Sequence, residues 1–229
     1  MSGAVRRHVR PVKMQKQALD AITMAGCALT RPNEAAAQDL VRLHDLLVKW
    51  QKVQNLVSRE TLNQIWDRHI ADSLQLVDLV PTGTKRIVDL GSGGGFPALP
   101  LAIAFKDADI GFTLVEANSR KVAFLRAVAR ELGLNLKVVD ERIDSFVSRE
   151  TSPVDLITAR ALASLDQLFG FSHPIWSAKT RALFHKGREH VEEMTESDAR
   201  WRYDVVKHPS TIDETGVILE ISNLQPRSE

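Results

Sequence analysis

A glycine-rich turn follows a short apolar segment near the middle of the chain. Ile87, Val88 and Leu90 supply the apolar residues, and Asp89 lies two residues before Gly91. The turn reads Gly-Ser-Gly-Gly-Gly-Phe-Pro over residues 91–97. A backbone without side chains can turn sharply and lets a ligand approach the main chain closely. A buried strand that runs into such a turn is typical of the nucleotide-binding edge of an α/β sheet.

The spacing of the glycines distinguishes two classes of ligand. Gly91, Gly93 and Gly95 form the pattern G-x-G-x-G, whereas the dinucleotide fingerprint requires a third glycine at the sixth position, which is Phe96 here. That third glycine allows close helix packing when a pyrophosphate lies at the helix N-terminus. Its replacement by Phe96, with Asp89 upstream, favours a ligand without a pyrophosphate. S-adenosylmethionine (AdoMet) meets this description.

From residue 86 onward, apolar strand candidates alternate with helical segments, which predicts a parallel sheet with right-handed crossovers. The last two candidates, 203–208 and 216–223, have no room for a helix between them, and we expect an antiparallel hairpin at the sheet edge. This Rossmann-like, seven-stranded α/β arrangement is typical of class I AdoMet-dependent methyltransferases, whereas an NAD-binding domain would end in a parallel strand. The first five candidates are 86–90, 112–116, 136–140, 154–160 and 182–186.

Residues 1–83 precede this pattern and are predicted to form a basic tail and a helical extension, with residues 84–229 as the methyltransferase domain. Helical spacing predicts one apolar stripe along the extension, and we expect both regions to pack as one compact unit. The tail is expected to be solvated or disordered, with an RNA-contacting arm as the alternative. The stripe comprises Leu40, Leu43, Leu47, Trp50 and Val53, and the basic residues are Arg6, Arg7, Arg10, Lys13 and Lys16.

Composition excludes several other classes of protein. Cys27 is the only cysteine, so an internal disulfide is impossible, and the seven histidines lack metal-ligand spacing. We therefore expect no metal. No apolar run approaches the roughly 18 residues that span a bilayer, so a soluble cytoplasmic protein is expected. The formal net charge of +1 does not indicate a strongly basic nucleic-acid binder, although local patches can still bind RNA.

Four residues near the ends of predicted strands are candidates for binding the cofactor. Glu116 can accept hydrogen bonds from both ribose hydroxyls, or it caps the following helix. Ile143 and Asp144 lie where an adenine would pack, although Asp144 could instead cap its own helix. Arg160 can hold the methionine carboxylate or an RNA phosphate, or it is an ordinary surface arginine.

The sequence after the fourth strand also limits the reaction. Residues 159–163 read Ala-Arg-Ala-Leu-Ala, without the Asp/Asn-Pro-Pro-aromatic turn typical of enzymes that methylate exocyclic amines. Methylation at pyrimidine C5 requires a cysteine nucleophile, and Cys27 lies far upstream. What remains is a substrate atom that is nucleophilic without activation, and guanine N7 is one such atom, because its lone pair lies in the base plane and carries no proton to remove. Alignment of N7 with the methyl group is then sufficient, and we assign no catalytic acid or base.

Several motifs together resemble one family, the bacterial 16S rRNA methyltransferases of the RsmG (GidB) type. The similarity runs from about residue 45 to near the C-terminus. Its most specific parts are an R-H-x-x-D-S segment, the G-G-G-F-P turn and an R-A-x-A-S-L segment. They occupy residues 68–73, 93–97 and 160–165, with further matches at Trp50, 55–58, 120–125 and 186–187.

The resemblance implies a class I methyltransferase fold, AdoMet as cofactor and N7 of one guanine in the decoding-region loop of 16S rRNA as acceptor. It places Arg68, His69, Asp72, Ser73 and Lys186 on the RNA side of the site. Without it, Arg68 and Asp72 could be a surface pair, His69 a core residue and Lys186 a strand-end charge. The implied cofactor contacts are Gly91, Gly93, Gly95, Phe96, Glu116, Ile143, Asp144 and Arg160.

Two other functions stay open at this point. An NAD-dependent oxidoreductase would share the glycine turn and the acidic residue, although Phe96 and the terminal hairpin disfavour it. A non-catalytic AdoMet-binding factor for ribosome assembly would share the whole fold. We expect a monomer whose partner is the small ribosomal subunit.

Overall fold

The helical extension begins close to the N-terminus. The computed structural model describes residues 3–58 and 60–227, with side chains described from Val12 onward. Helix α1 spans Gly3–Ala25 and α2 spans Asn33–Gln51. A 3₁₀ turn follows at Leu62–Gln64, and the chain then enters a π-helical segment. This segment covers Ile65–Ala71 and continues into the short α3 at Asp72–Leu74 and a 3₁₀ turn at Val77–Leu79.

The basic N-terminal segment does not form a separate tail. Its backbone is helical from Gly3, so it continues as the first half of α1. Arginine and lysine favour helices, and the sequence prediction underweighted this propensity of the segment's five basic residues. RNA contact by this segment stays a prediction, and residues 1–2 lie outside the described part of the chain.

The apolar stripe of α2 forms much of the contact with the rest of the protein. Leu40, Leu43 and Leu47 are fully buried, and Trp50 is half-buried. Val53 was predicted to continue the stripe but is 75% exposed. The helix ends at Gln51, so the helical spacing no longer applies two residues later.

Seven strands form a single sheet in the order β3-β2-β1-β4-β5-β7-β6. The first five strands are parallel, and β7 is antiparallel to both β5 and β6. The predicted terminal hairpin and the class I fold are confirmed. The strands are β1 Arg86–Leu90, β2 Gly111–Glu116, β3 Leu136–Asp140, β4 Leu156–Arg160, β5 Arg181–Lys186, β6 Trp201–Pro209 and β7 Val217–Pro226.

Helices cover both faces of the sheet. Because alternate residues of a strand point to opposite faces, each face has its own hydrophobic core. Ile87 packs into the cluster that includes α1 and α2, whereas Val88 and Leu90 pack into the cluster on the opposite face. The remaining helices are α4 Ala98–Ala104, α5 Ser119–Leu132, α6 Ile143–Arg149, α7 Leu165–Ser172 and α8 His190–Ser197. Among the described residues, no helix has the length and apolarity that a membrane span requires.

The topology fixes where a ligand can bind. The strand order reverses between β1 and β4, which are neighbours in the sheet but distant in sequence. Ligands of open α/β sheets bind beyond the carboxyl ends of the strands at such a switch point. The glycine turn after β1 and Arg160 at the end of β4 both lie there.

We predict that Leu40→Ala lowers the free energy of unfolding by about 2–5 kcal/mol, because it leaves a cavity where the extension packs on the domain. Val53→Ala is the matched control, and its effect should stay within about 0.5 kcal/mol because Val53 is largely exposed. Urea unfolding followed by circular dichroism measures both values. We propose that the extension and the domain unfold together, so two separate transitions would contradict the expectation of one compact unit.

Candidate active site

A cavity of about 760 Å³ lies at the carboxyl edge of the sheet. It is formed by the turns after β1, β2, β3 and β4 together with the loop that follows α2. Its volume lies within the range of pockets for cofactor-sized ligands. Seven of the eight predicted cofactor residues line it, namely Gly91, Gly93, Phe96, Glu116, Ile143, Asp144 and Arg160. The structure does not bring Gly95 to its surface.

The glycine turn is pressed against the helical extension. A Cβ atom placed on Gly94 would lie 2.7 Å from the carbonyl oxygen of Leu56, a distance that real side chains do not adopt. Gln51 holds Leu56 there, since its Oε1 accepts from the backbone N–H groups of Leu56 and Val57 and its Nε2 donates to the carbonyl of Val57. The extension therefore forms one wall of the cavity.

Glu116 connects the end of β2 to the glycine turn. Its Oε2 accepts a hydrogen bond from the backbone N–H of Gly93, and its Oε1 accepts one from the N–H of Asn118, each at 2.8 Å. Helix α5 is capped instead by the Asn118 side chain, which accepts from Arg120 and Lys121. Each carboxylate oxygen has a second lone pair, so Glu116 can still accept from ligand hydroxyls in the cavity.

Ile143 and Asp144 form the opposite end of the cavity, at the start of α6. The Asp144 side chain is exposed and lies 3.5 Å from Arg142 in a surface ion pair. Arg142 occupies the N-cap position of α6, which has no side-chain cap. Capping therefore does not account for Asp144, and its carboxylate can interact with a ligand at the rim.

Arg160 is the centre of a partly buried polar network rather than a surface arginine. Its Nη1 donates to Asp72 Oδ2 at 3.0 Å, and its Nη2 donates to His69 Nδ1 at 2.5 Å. The guanidinium carbon lies 5.8 Å from the centre of the Phe96 ring, a cation–π distance. These contacts hold the positive charge of Arg160 beside the glycine turn.

His69 is held as a neutral imidazole in this network. Because its Nδ1 accepts from Arg160, its Nε2 carries the proton and donates to Thr61 Oγ1 at 2.8 Å. Burial, followed by the positive charges of Arg160 and Arg68, lowers the pKa of His69 from 6.5 to about 3. The imidazole therefore stays uncharged near neutral pH and binds no further proton there.

A second cavity of about 260 Å³ adjoins the first and shares Thr61, His69, Arg160 and Ala161 with it. Four of the five residues predicted on the RNA side line this smaller space, namely Arg68, His69, Asp72 and Lys186. Ser73 does not, because it is fully buried and its hydroxyl donates to the carbonyl of His69. The predicted residues thus divide between two connected cavities.

In the second cavity, Arg68 and Asp72 do not pair with each other as neighbours on one helix would. Arg68 contacts Asp213 at 2.8 Å, in the loop between β6 and β7, while Asp72 contacts Arg160. Lys186 donates to the carbonyl of Ala163 and lies 2.5 Å from Glu193. The helical extension and the terminal hairpin therefore meet across this cavity.

Several residues of the site were missed by the sequence analysis. Leu56 and Thr61 come from the extension, and His185 reaches the second cavity from β5. Asp89, which the sequence analysis noted before the glycine turn, is fully buried at the end of β1. Its Oδ1 accepts a hydrogen bond from Thr158, and burial raises its pKa to about 6. Among the described residues, no group of three or more potential ligands could hold a metal ion.

Comparison with known proteins identifies relatives over most of the chain. The model of the GidB family, described as rRNA small subunit methyltransferase G, matches residues 36–217. Ribosomal RNA small subunit methyltransferase G of Brucella ovis is 44% identical over 194 residues, which cover 84% of this chain and 90% of the relative. The protein of the same name from Brucella suis biovar 1 is similar to the same extent.

Solved structures with low sequence identity share the fold. A putative O-methyltransferase from Klebsiella pneumoniae has a TM-score of 0.56 at 16% identity, covering 92% of this chain and 99% of that protein. A methyltransferase from Podospora anserina bound to S-adenosylhomocysteine (SAH) has a TM-score of 0.54 at 15% identity, covering 86% and 98%.

We predict that Gly94→Ala destabilises the protein by about 1–3 kcal/mol, because the new methyl group displaces the Leu56 carbonyl. Gly170→Ala is the control, since nothing lies within 4 Å of a Cβ atom placed there in α7. This control should leave stability unchanged or raise it slightly. Equal stability of the two variants in urea unfolding would show that the extension does not press on the turn.

The pH dependence of the free energy of unfolding tests whether His69 is neutral in the folded protein. The folded pKa is depressed, so the unfolded chain binds a proton as the pH falls below 6.5 while the folded protein does not. The contribution of His69 is therefore fully present above pH 6.5 and is lost toward pH 3, by about 1.4 kcal/mol per pH unit. Between pH 7 and pH 5, wild type should lose more stability than His69→Gln. Asp89 and His185 are present in both wild type and His69→Gln, so their titration does not account for a difference between the two. Equal losses of stability would contradict the depressed pKa of His69.

Proposed function

Because this chain belongs to the GidB family of small-subunit ribosomal RNA methyltransferases, we propose that it transfers a methyl group to N7 of a guanine in the decoding-region loop of 16S rRNA. It is an AdoMet-dependent rRNA methyltransferase. The observation that carries the finer proposal is the convergence of the glycine turn, Glu116 and Arg160 on one cavity that opens into a second.

The residues that line the larger cavity support its proposed role as the AdoMet site. Glu116 is available to accept the ribose hydroxyls, and Ile143 and Asp144 offer an apolar surface and an acceptor for adenine. Arg160 attracts the methionine carboxylate from its fixed position beside Phe96. When bound, AdoMet supplies an electrophilic methyl group on its sulfonium. The protein contributes binding, orientation and exclusion of water.

The smaller cavity is the proposed binding site for the guanine. It shares His69 and Arg160 with the larger cavity, so a base that enters it lies next to the methyl donor. Arg68 and Lys186 also line this cavity, each paired with a carboxylate, so they can offer it N–H donors but no unpaired positive charge. A base must leave its stack to reach such a pocket, and a loop guanine does so at a low energetic cost.

The protonation state of His69 supports N7 as the acceptor. Both ring nitrogens of His69 are occupied by hydrogen bonds, and its pKa of about 3 prevents it from acting as a base at neutral pH. Guanine N7 needs no base, because its lone pair lies in the base plane and carries no proton. Methylation of an exocyclic amine would require a proton acceptor, and His69 does not provide one.

We further propose that the enzyme acts as a monomer in the cytoplasm on the assembled or assembling small subunit. The formal net charge of +1 supports modest affinity for naked RNA, so a ribosomal particle would supply additional contacts. The NAD-dependent alternative lacks support, because Phe96 occupies the position of the third glycine and β7 is antiparallel to β5.

The proposed reaction is tested by methyl transfer from labelled AdoMet to small subunits that lack the modification. Reductive cleavage of the RNA chain then maps N7-methylguanine. A single cleavage site in the decoding-region loop is expected. Label on another base or atom would overturn the N7 assignment, and AdoMet binding without any transfer would favour the non-catalytic assembly factor.

Arg160→Ala and Gly93→Val test the cofactor site. Arg160→Ala removes a charged donor and should weaken AdoMet binding by about 10- to 100-fold, since hydrogen bonds to charged groups contribute about 1.5–3 kcal/mol. Gly93 has a φ of 54°, which disfavours valine, so Gly93→Val should abolish binding. Arg202→Ala on β6 is the control. Calorimetric titration with AdoMet measures all three, and wild-type affinity in either site variant would refute the assignment.

A further inference from the structure

A third opening lies beside the cofactor cavity, between the segment that follows α2 and the N-terminal end of α5. Its volume is about 680 Å³. We call it the basic cleft, because Lys52, Arg120 and Lys121 all line it. The other lining residues are Gln51, Val53, Gln54, Asn55, Leu62 and Asn118.

No ion pair between described residues neutralises the positive charge of the basic cleft. No aspartate or glutamate lines it in the described part of the chain. None of the ion pairs between described residues includes Lys52, Arg120 or Lys121. By contrast, Arg68 and Lys186 in the second cavity each have a carboxylate partner. A cleft lined by three cations that pair with no described carboxylate is suited to a polyanion.

The walls of the cleft are fixed and offer further contacts. Trp50 meets Phe124 of α5 edge-on, with ring centres 5.9 Å apart, which anchors the end of α2. The Gln54 side chain also lines the cleft. Val53 is 75% exposed and provides an apolar surface in the same cleft. Phosphate oxygens would contact the basic side chains of the cleft, and base faces would contact this apolar surface.

Lys121 connects the basic cleft to the cofactor cavity. It lines both, and its Nζ lies 3.9 Å from the position of a Cβ atom on Gly93. A polyanion in the cleft therefore reaches the edge of the site where the methyl donor binds. Such proximity favours the polymer that carries the acceptor base over an acidic segment of a separate protein.

We propose that the basic cleft binds the sugar–phosphate backbone of the 16S rRNA next to the methylated guanine, with Lys52 and Arg120 as phosphate contacts. This inference rests on the proposed function. It assigns the loop after α2 and the start of α5 a role in substrate affinity, separate from the base-binding cavity on the other side of Arg160.

The test uses the double variant Lys52→Ala/Arg120→Ala and leaves Lys121 intact, because Lys121 also lines the cofactor cavity. The matched control, Arg130→Ala/Lys137→Ala, removes the same charge from exposed positions outside the cleft. AdoMet affinity is measured by calorimetry, and binding of a protein-free RNA containing the decoding-region loop is measured by fluorescence anisotropy at several salt concentrations. KM and kcat are measured with small subunits.

The cleft variant should keep wild-type AdoMet affinity and kcat, while KM rises about tenfold or more. The slope of log affinity against log salt should fall by about 0.7 for each lost phosphate contact with single-stranded RNA. Equal behaviour of the two double variants would overturn the proposal. So would loss of activity on subunits without loss of RNA binding, since that points to a protein partner. Because RNA binding needs no turnover, the absence of methyl transfer by wild type would refute the proposed function instead.

Discussion

The close approach of the Leu56 carbonyl to Gly94 is the contact on which the site depends. It allows the loop after α2 to lie directly on the glycine turn, with no side chain between the two backbones. Gln51 fixes this loop through three hydrogen bonds, and Thr61 then reaches His69 across the cavity. The helical extension therefore forms one wall of the larger cavity.

A second constraint is the polar network around Arg160, which joins the end of β4 to the π-helical segment. Asp72 offsets the charge of the buried guanidinium, and His69 accepts from it as a neutral imidazole. Such a network is costly when one partner is removed, because the remaining charge is left buried. The same network separates the two cavities. In the proposed arrangement, the cofactor and the base meet beside the neutral imidazole of His69.

The sequence predicted the elements well and the contacts between distant elements poorly. Strands such as β1 and the helix Ser119–Leu132 follow from local apolar periodicity, and the turn-rich stretch before β7 predicted the hairpin. Strand ends converge by topology, so Glu116 and Arg160 could be placed on one edge without coordinates. The pairing of Arg68 with Asp213 and the contact of Leu56 with Gly94 join residues far apart in sequence, and no local pattern encodes them. Gly95 and Ser73 belong to motifs that predict the site, yet neither lines a cavity. A motif identifies a position in the sequence but does not show whether that residue faces the ligand.

The most direct test of this account is amide hydrogen exchange with and without AdoMet. If the extension forms a wall of the cofactor site, peptides covering residues 52–62 and peptides covering the glycine turn at 91–96 should both gain protection when AdoMet binds. Peptides from the distant β6 strand should not change. Protection confined to the glycine turn, with residues 52–62 unaffected by a saturating cofactor, would contradict the claim that the two regions form one site.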